Sequence, residues 1–321
     1  MTLPLDNRRV RLGRSALSVA PLAVGTWAWG ERKYWGYERE FTSRDVVDAF
    51  VASADAGLTL FDTAEVYGHG ESEKILGFLL RKRGEGLRVA TKFALLPGRD
   101  GARALPRALD LSLKRLGVPR VDLYQIHWPD TAMASIDALM DALADAVDAG
   151  KVGAVGVSNF TATEMRAAHA ALARRGIPLA SNQVHYSLIH RAPEADGVLD
   201  ACRELDVALL AYSPLEQGIL GGKYPPGKPP EGPRARLPSF AAENLAAAGE
   251  VVALLGSLGE TRGNGPDQLA LAWLLAQPGV VPIAGAKTAA QAERNAGALA
   301  ITLDPEEIAA IDRATTRWKT A

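Results

Sequence analysis

Short apolar runs alternate with longer segments of helical spacing along almost the whole chain. Eight of the runs read as strands: "PLAVGTW" from Pro21, "LTLFDT" from Leu58, "RVATKF" from Arg88, "VDLYQIH" from Val121, "VGAVGVS" from Val152, "ASNQVHY" from Ala180, "VALLAYSP" from Val207 and "VVPIAGA" from Val280. They are rich in Val, Leu, Ile and Ala without strict alternation, the pattern of parallel strands covered on both faces. Between them, "SRDVVDAFVASADAG" and "SIDALMDALADAVDAG" each open on a serine cap and close on glycine, as helices do. Eight such strand–helix units predict a closed (β/α)8 barrel, with residues 1–321 forming one domain. An open doubly wound sheet is the alternative, but it usually has fewer strands and a glycine-rich first turn.

Three further segments fall outside the repeating unit. "VRLGRSALSV" reads as a small hairpin ahead of the barrel, placed to plug its bottom, and "DPEEIAAIDRAT" as a capped extra helix after it. From Leu215 to about Ser239 the chain runs "LEQGILGGKYPPGKPPEGPRARLPS". A loop this long in a barrel is more often functional than idle, and it follows the seventh strand on the face where barrels keep their active sites.

Composition narrows the partners. Lysine and arginine (36) nearly balance aspartate and glutamate (37), which removes any electrostatic case for nucleic acid or an anionic membrane. The single cysteine, Cys202 in "VLDACREL", allows no internal disulfide and reads as a small buried apolar residue. No apolar run is long enough to span a bilayer, and "MTLPLDNRRVRLG" has no signal-peptide core, so a cytoplasmic location is expected. No metal site is expected.

In a parallel barrel the C-terminal strand ends ring one mouth. Reading those ends in order gives Asp62 after the second strand, Lys92 after the third and His127 after the fourth, while Tyr67 follows Asp62 by five positions. Singly, each has a plain structural explanation: a turn cap, a snorkelling lysine, a satisfied core histidine and a loop aromatic. Together on adjacent strands they point to a shared task. A buried lysine beside a carboxylate stays protonated, and its charge is expected to lower a neighbouring phenol from about 10 towards values useful for proton transfer at neutral pH. A tyrosine acid so placed suits carbonyl reduction, provided a hydride donor lies opposite.

Neither a G-x-G-x-x-G nor a G-x-x-x-x-G-K-[ST] stretch is present, so a cofactor must be held by other means. Ser158 and Asn159 after the fifth strand, Gln183 on the sixth, and Tyr212 and Ser213 on the seventh make an amide-rich rim with one tyrosine. That set suits a carboxamide-bearing ring with the tyrosine as a stacking surface; Asn159 and Gln183 serve equally well as capping or solvated strand ends. Trp27 and Trp128 flank the ends of strands one and four, where they either pack the rim or wall a substrate pocket.

The blocks "GLTLFDTAEVYGHGESEKILG", "ALDLSLKRLGVPRVDLYQIHWPD", "GKVGAVGVSNF", "NQVHYSL", "AYSPLEQGILGGKY" and "VPIAGAKTAAQAERNAGAL" resemble the aldo-keto reductase family in order and spacing, over nearly the whole chain. The resemblance implies a barrel enzyme using NADPH to reduce a small-molecule aldehyde or ketone. It implies Asp62, Tyr67, Lys92 and His127 as the catalytic four, with Tyr67 the general acid, Lys92 and Asp62 its tuning pair, and His127 an aid to orientation or proton sharing. It also places Ser158, Asn159 and Gln183 on the nicotinamide amide and Tyr212 against its ring, with Trp27 as a further cofactor contact. Ser213, Leu215, Gln217, Gly218 and Leu220 would line the pyrophosphate path, and Lys287, Thr288, Gln291 and Asn295 the adenosine end. "GTWAWGERKYWGY" is similar to a plant and cyanobacterial branch that includes pyridoxal reductases.

Two positions depart from the family pattern: Ala284 stands where many relatives have proline, and Arg294 where they usually have glutamate, adding a positive charge beside the implied phosphate site. Two rival functions fit less of the pattern. A non-catalytic nicotinamide-binding sensor would not need the four ionisable residues. An aldolase or isomerase using Lys92 as a Schiff base would want a lowered lysine pKa and no carboxylate partner.

Overall fold

Eight parallel strands close into a barrel, each pairing with the next in chain order: β3 (Ala23–Gly25), β4 (Leu60–Asp62), β5 (Arg88–Phe93), β6 (Val121–Ile126), β7 (Val152–Ser158), β8 (Leu179–His185), β9 (Ala208–Tyr212) and β10 (Val280–Gly285). The ring closes where β10 meets β3, with Ile283 opposite Ala23 and Gly285 opposite Gly25. A short antiparallel hairpin, β1 (Val10–Arg11) and β2 (Ser18–Val19), precedes it. The computed structural model describes residues 9–225 and 227–320. The first eight residues, which make up most of the stretch read above for a signal-peptide core, lie outside the described residues, as do Pro226 and Ala321.

All eight strands predicted from apolar runs are present; β5 and β7 match their runs end to end, β8 starts one residue earlier, and the others are shorter than predicted. The helices α1 (Ser43–Asp55), α2 (Glu71–Arg83), α3 (Leu105–Leu116), α4 (Ile136–Asp148), α5 (Ala162–Ala173), α6 (Ala192–Ala195), α7 (Val198–Leu205), α8 (Ala242–Glu260), α9 (Pro266–Leu275), α10 (Ala289–Gly297) and α11 (Pro305–Thr315) pack outside. Ser135 caps α4 through its side chain as predicted, but α1 begins one residue earlier than its serine suggested. There Thr42 is the N-cap and forms a capping box with Asp45, because the Asp45 carboxylate reaches back to the Thr42 N–H. The added C-terminal helix α11 starts on a second capping box, Asp304 with Glu307.

Strand periodicity explains the barrel interior. Leu60, Ala90 and Leu123 point inwards and pack with Leu12, Leu17 and Val19 of the hairpin region, so the bottom of the barrel is an apolar plug. Two residues further along the same strands, on the same face, stand Asp62, Lys92 and Gln125, all buried. On the opposite face of these strands, Phe61, Val89, Phe93 and Tyr124 face the helices and join the larger outer core. The inner layer therefore changes from hydrocarbon to charged and amide groups within one strand repeat. Among the described residues, no helix is long and apolar enough to cross a membrane.

The loop after β9 folds as a chain of single turns, Glu216–Gly218, Gly232–Arg236 and Pro238–Phe240, before α8 begins. On the opposite flank α2 and α3 touch backbone to backbone at Gly77, where an added Cβ would sit 2.4 Å from the Leu116 carbonyl oxygen and 2.6 Å from that of Arg115. Gly77→Ala should therefore push α2 off α3 and cost about 1–3 kcal/mol, the usual penalty of overpacking. Urea denaturation of the two proteins checks this; an unchanged midpoint would mean that the helices part freely.

Candidate active site

Asp62 ends β4, Lys92 lies one residue before the end of β5, and His127 follows β6 directly, so three adjacent strands deliver their side chains to one mouth. Lys92 Nζ donates to Asp62 Oδ2 at 2.5 Å, to the Thr63 carbonyl at 3.0 Å and to the Tyr67 hydroxyl at 3.4 Å. The other oxygen of Asp62 accepts from Gln183 Nε2 at 2.9 Å and Gln125 Nε2 at 3.3 Å. Tyr67 is carried in by the loop after β4, which then turns sharply through left-handed Gly68, His69 and Gly70 into α2. Its ring is half-buried, 5.8 Å from the His127 ring in an edge-on arrangement.

Burial pulls the Lys92 ammonium down, but Asp62 and Tyr67 outweigh it and leave it raised. The cation is secure at any ordinary pH. Tyr67 departs from the expectation that lysine would draw it towards neutrality. Burial raises the phenol and outweighs the opposing pull of Lys92, while Asp62 adds to the rise. The hydroxyl thus keeps its proton at neutral pH, because the same enclosure that brings Lys92 close also removes the water that would solvate a phenolate. His127 is pushed down to about 2 by burial and by Lys92, so its ring is neutral, and its Nδ1 has no hydrogen-bond partner in the protein.

On the other half of the rim, the Ser158 hydroxyl donates to the Gln183 carbonyl at 2.8 Å, and Asn159 Nδ2 donates to the His127 carbonyl at 3.0 Å. Tyr212 donates its hydroxyl to Asn159 Oδ1 at 3.0 Å. Asn159 and Ser213 both adopt left-handed backbone (φ of 61° and 52°), strain of the kind that collects at functional strand ends. These residues, with the tetrad's Asp62, Tyr67 and His127, line one continuous cavity of about 720 Å³.

Of the residues singled out from the sequence, Trp27, Trp128, Ser158, Asn159, Gln183, Tyr212, Ser213, Leu215, Gln217, Gly218, Lys287, Gln291 and Asn295 all line that cavity. Two others do not. Leu220 turns its side chain into the core and is fully buried there, because the turn at Gly218–Gly222 folds that residue inwards. Thr288 uses its hydroxyl to cap α10 by accepting from the Gln291 N–H. Arg294 lines the far end, but its guanidinium is bound by Asp267 at 2.9 and 2.5 Å, which offsets the extra charge.

Sequence reading missed several groups. Gln125 could have been found from its place two residues after the inward-facing Leu123. Lys223 and Arg234, from the loop after β9, line the cavity beside Lys287; the basic residues in that loop were the available signal. Arg234 is buried, with Glu40 at 3.9 Å, and both Arg234 and Lys287 lie over the Trp35 ring, at 5.2 and 5.3 Å. Lys287 is lowered to about 8, first by burial and then by Lys223 and Arg234, with Glu40 opposing. At the mouth Trp27 stacks on Tyr34 (5.0 Å, 23°) and Trp128 on His127 (3.6 Å, 6°). The Tyr34 hydroxyl reaches Gln217 Oε1 at 3.0 Å, tying the loop after β3 to the loop after β9.

Fold and site together define a (β/α)8 barrel whose ionisable cluster sits at the C-terminal mouth, beside a long channel. The chain belongs to the aldo/keto reductase family, whose model matches residues 21–316. It is an oxidoreductase by that membership. It is 40% identical over 290 residues to an uncharacterized oxidoreductase of Mycobacterium tuberculosis, covering 90% of this chain and 87% of the relative. It is also 36% identical over 313 residues to the chloroplastic pyridoxal reductase of Arabidopsis thaliana, covering 94% and 84%. Among solved structures, the glycerol dehydrogenase of Gluconobacter oxydans superposes with a TM-score of 0.85 at 29% identity, covering 99% of this chain and 98% of that one. An aldo/keto reductase of Klebsiella pneumoniae, in complex with NADP and acetate, gives 0.76 at 29% identity over 95% and 96%.

His127 supplies a direct check on these electrostatics. With its ring held far below the ordinary histidine range, its NMR signals should not titrate between about pH 5 and 8, where free imidazole changes charge. A midpoint inside that window would show that Lys92 and burial do not control the ring.

Proposed function

We propose that this protein reduces aldehyde or ketone carbonyls to alcohols with NADPH, using Tyr67 as the proton donor. One observation carries this reading: Lys92, itself fixed on Asp62, reaches the Tyr67 hydroxyl at the rim of a cavity that Lys223, Arg234 and Lys287 also line. The residues fit NADPH. Among the described residues, Lys223 and Lys287 have no carboxylate at ion-pair distance, and Arg234 has only the distant Glu40. Three converging cations favour a polyanion such as a dinucleotide phosphate. Ser158, Asn159 and Gln183 would hold the nicotinamide amide and Tyr212 and Trp27 its ring, with Ser213, Leu215, Gln217 and Gly218 along the pyrophosphate. When bound, the cofactor supplies the hydride.

The chain's own groups do the rest. Tyr67 Oη holds the proton that the alcohol oxygen needs, and Lys92 stabilises the phenolate left when that proton departs. His127, neutral, offers a hydrogen bond that orients the carbonyl without competing as an acid. Trp27 and Trp128 wall the pocket and keep water from the reacting centre. Their flat faces support a planar aldehyde of the pyridoxal kind over a small polyol. Residues 1–321 would act as one barrel unit in a reducing cytoplasm. Cys202 would be inert there: it is buried and its thiol is pushed up to about 12.

Tyr67→Phe should lower turnover by about a hundredfold or more, the usual worth of a general acid, while the NADPH dissociation constant stays within roughly a factor of two. NADPH oxidation against pyridoxal, simple aldehydes and α-dicarbonyls measures the first, and fluorescence titration the second. Turnover near that of the wild type would remove Tyr67 as the acid. No turnover by the wild type on any carbonyl would instead favour a sensor.

Cofactor preference has its own sign. A phosphate contact needs Lys287 protonated, and the free lysine is lowered to about 8. NADPH affinity should therefore be greatest below about pH 8 and fall as pH rises through it; NADH, lacking the 2′-phosphate, should show a shallower fall. Lys287→Ala should weaken NADPH roughly ten- to a hundredfold and flatten its pH dependence, with little effect on NADH. Equal weakening of both cofactors would mean that Lys287 does not read the 2′-phosphate.

A further inference from the structure

The buried carboxylate of Glu65 and the partly exposed guanidinium of Arg99 form an ion pair that the chemistry above does not use. Glu65 stands midway between Asp62 and Tyr67 on the loop after β4, and its carboxylate is 5% exposed. Its two oxygens accept from Arg99 Nη1 at 2.6 Å and Nη2 at 2.8 Å, a bidentate pair. The same Oε1 also accepts from the backbone N–H of Ala94 at 2.8 Å, and Arg99 Nη1 donates to the Ala94 carbonyl at 2.7 Å. The pair thereby grips both polar groups of Ala94, two residues beyond Lys92 on the same run of chain. Arg99 itself lies against the Phe93 ring, 5.3 Å from its centroid.

The loop needs such a grip. Thr63 is the last residue tied to the neighbouring strand by backbone, its N–H donating to the Ala90 carbonyl at 2.8 Å. After Tyr67 the chain runs through three consecutive left-handed residues, Gly68, His69 and Gly70, a conformation that His69 adopts only under constraint. Between those points Glu65 is fastened across to the segment after β5. Tyr67 meets Lys92 at 3.4 Å, the long end of a hydrogen bond, so a small drift of the loop would break it.

We propose that the Glu65–Arg99 pair is a positioning device for the catalytic acid: by clamping Ala94 it sets the separation of the Tyr67 hydroxyl from Lys92. This rests on the reading of Tyr67 as proton donor. Bidentate geometry matters here, because two parallel bonds fix direction as well as distance, which a single lysine contact cannot do.

The test compares wild type, Arg99→Met, Arg99→Lys and Glu65→Gln. Loss of the clamp should lower kcat for carbonyl reduction by about ten- to a hundredfold, as a displacement of about 1 Å in a catalytic group does, with the NADPH dissociation constant unchanged within a factor of about two. Arg99→Lys, which keeps the charge but not the fork, should recover part of the loss. The pH profile gives a readout that a purely structural brace would not move. The groups facing Tyr67 are Lys92, Asp62, His127 and Tyr212; drawing the phenol away from Lys92 removes the one cation among them and raises its pKa. Alcohol oxidation needs the phenolate, so its acidic limb should move to higher pH in Arg99→Met.

An unchanged kcat, or a fall in kcat with an unmoved profile, would overturn the proposal. If Arg99→Met does not fold, the milder Glu65→Gln and Arg99→Lys variants carry the same readouts. If wild type reduces no carbonyl, the proposed function fails but the clamp is still read. Ultraviolet difference titration of the Tyr67 phenol, with Tyr67→Phe as blank, should give a higher midpoint without the clamp, and an equal midpoint would overturn it.

Discussion

The ion pair between Lys92 and Asp62 is the contact on which the rest of the site depends. Both groups are buried inside the barrel, where an unpaired charge would cost several kcal/mol and removing one partner typically costs about 3–5 kcal/mol. Their hydrogen bonding is closed. An ammonium has three donors, and those of Lys92 go to Asp62, the Thr63 carbonyl and Tyr67. Asp62 spends its other oxygen on Gln183 and Gln125. The phenol is thus the third member of a satisfied cluster rather than an added neighbour, and the loop that brings it must hold its position to that cluster.

Enclosure cuts two ways. It strips water from His127 and sharpens the influence of Lys92 on that ring, both of which keep it neutral, but it also withdraws water from Tyr67, so that burial outweighs the lysine and the phenol stays protonated. A protonated phenol is the form required to donate a proton in carbonyl reduction. The same balance at the other end of the cavity has the opposite sign. There Lys223, Arg234 and Lys287 crowd together, and the cost of their mutual repulsion and burial shows as the lowered lysine. The two ends are complementary: neutral donors and a held proton at one, positive charge only partly offset by Glu40 at the other.

The two loops that bear the aromatic and basic residues belong to different parts of the chain but share one roof. Tyr34 reaches Gln217, and Trp35 offers its face to both Arg234 and Lys287. A cation over an aromatic face is stabilised by the ring's quadrupole without being neutralised. Trp35 can therefore hold the two cations in place and leave their charge available.

Much of this was legible in the chain itself. Apolar runs of strand length separated by helical spacing gave eight strands and the barrel, because the runs are short, rich in Val, Leu, Ile and Ala, and recur between helical segments as two-sided buried strands do. Strand ends named Asp62, Lys92 and His127, since period-two alternation and parallel topology bring them to one mouth. Other features were decided only by packing. Gln125 joined Asp62 beneath the cavity, Arg234 entered it, Leu220 left it and Arg294 was neutralised by Asp267; each depends on which distant residue lies opposite, and spacing along one segment carries no record of that. The protonation of Tyr67 belongs to the same class. The residues that tune it could be named from the sequence, but the sign of their sum follows from how completely the folded barrel shuts out water.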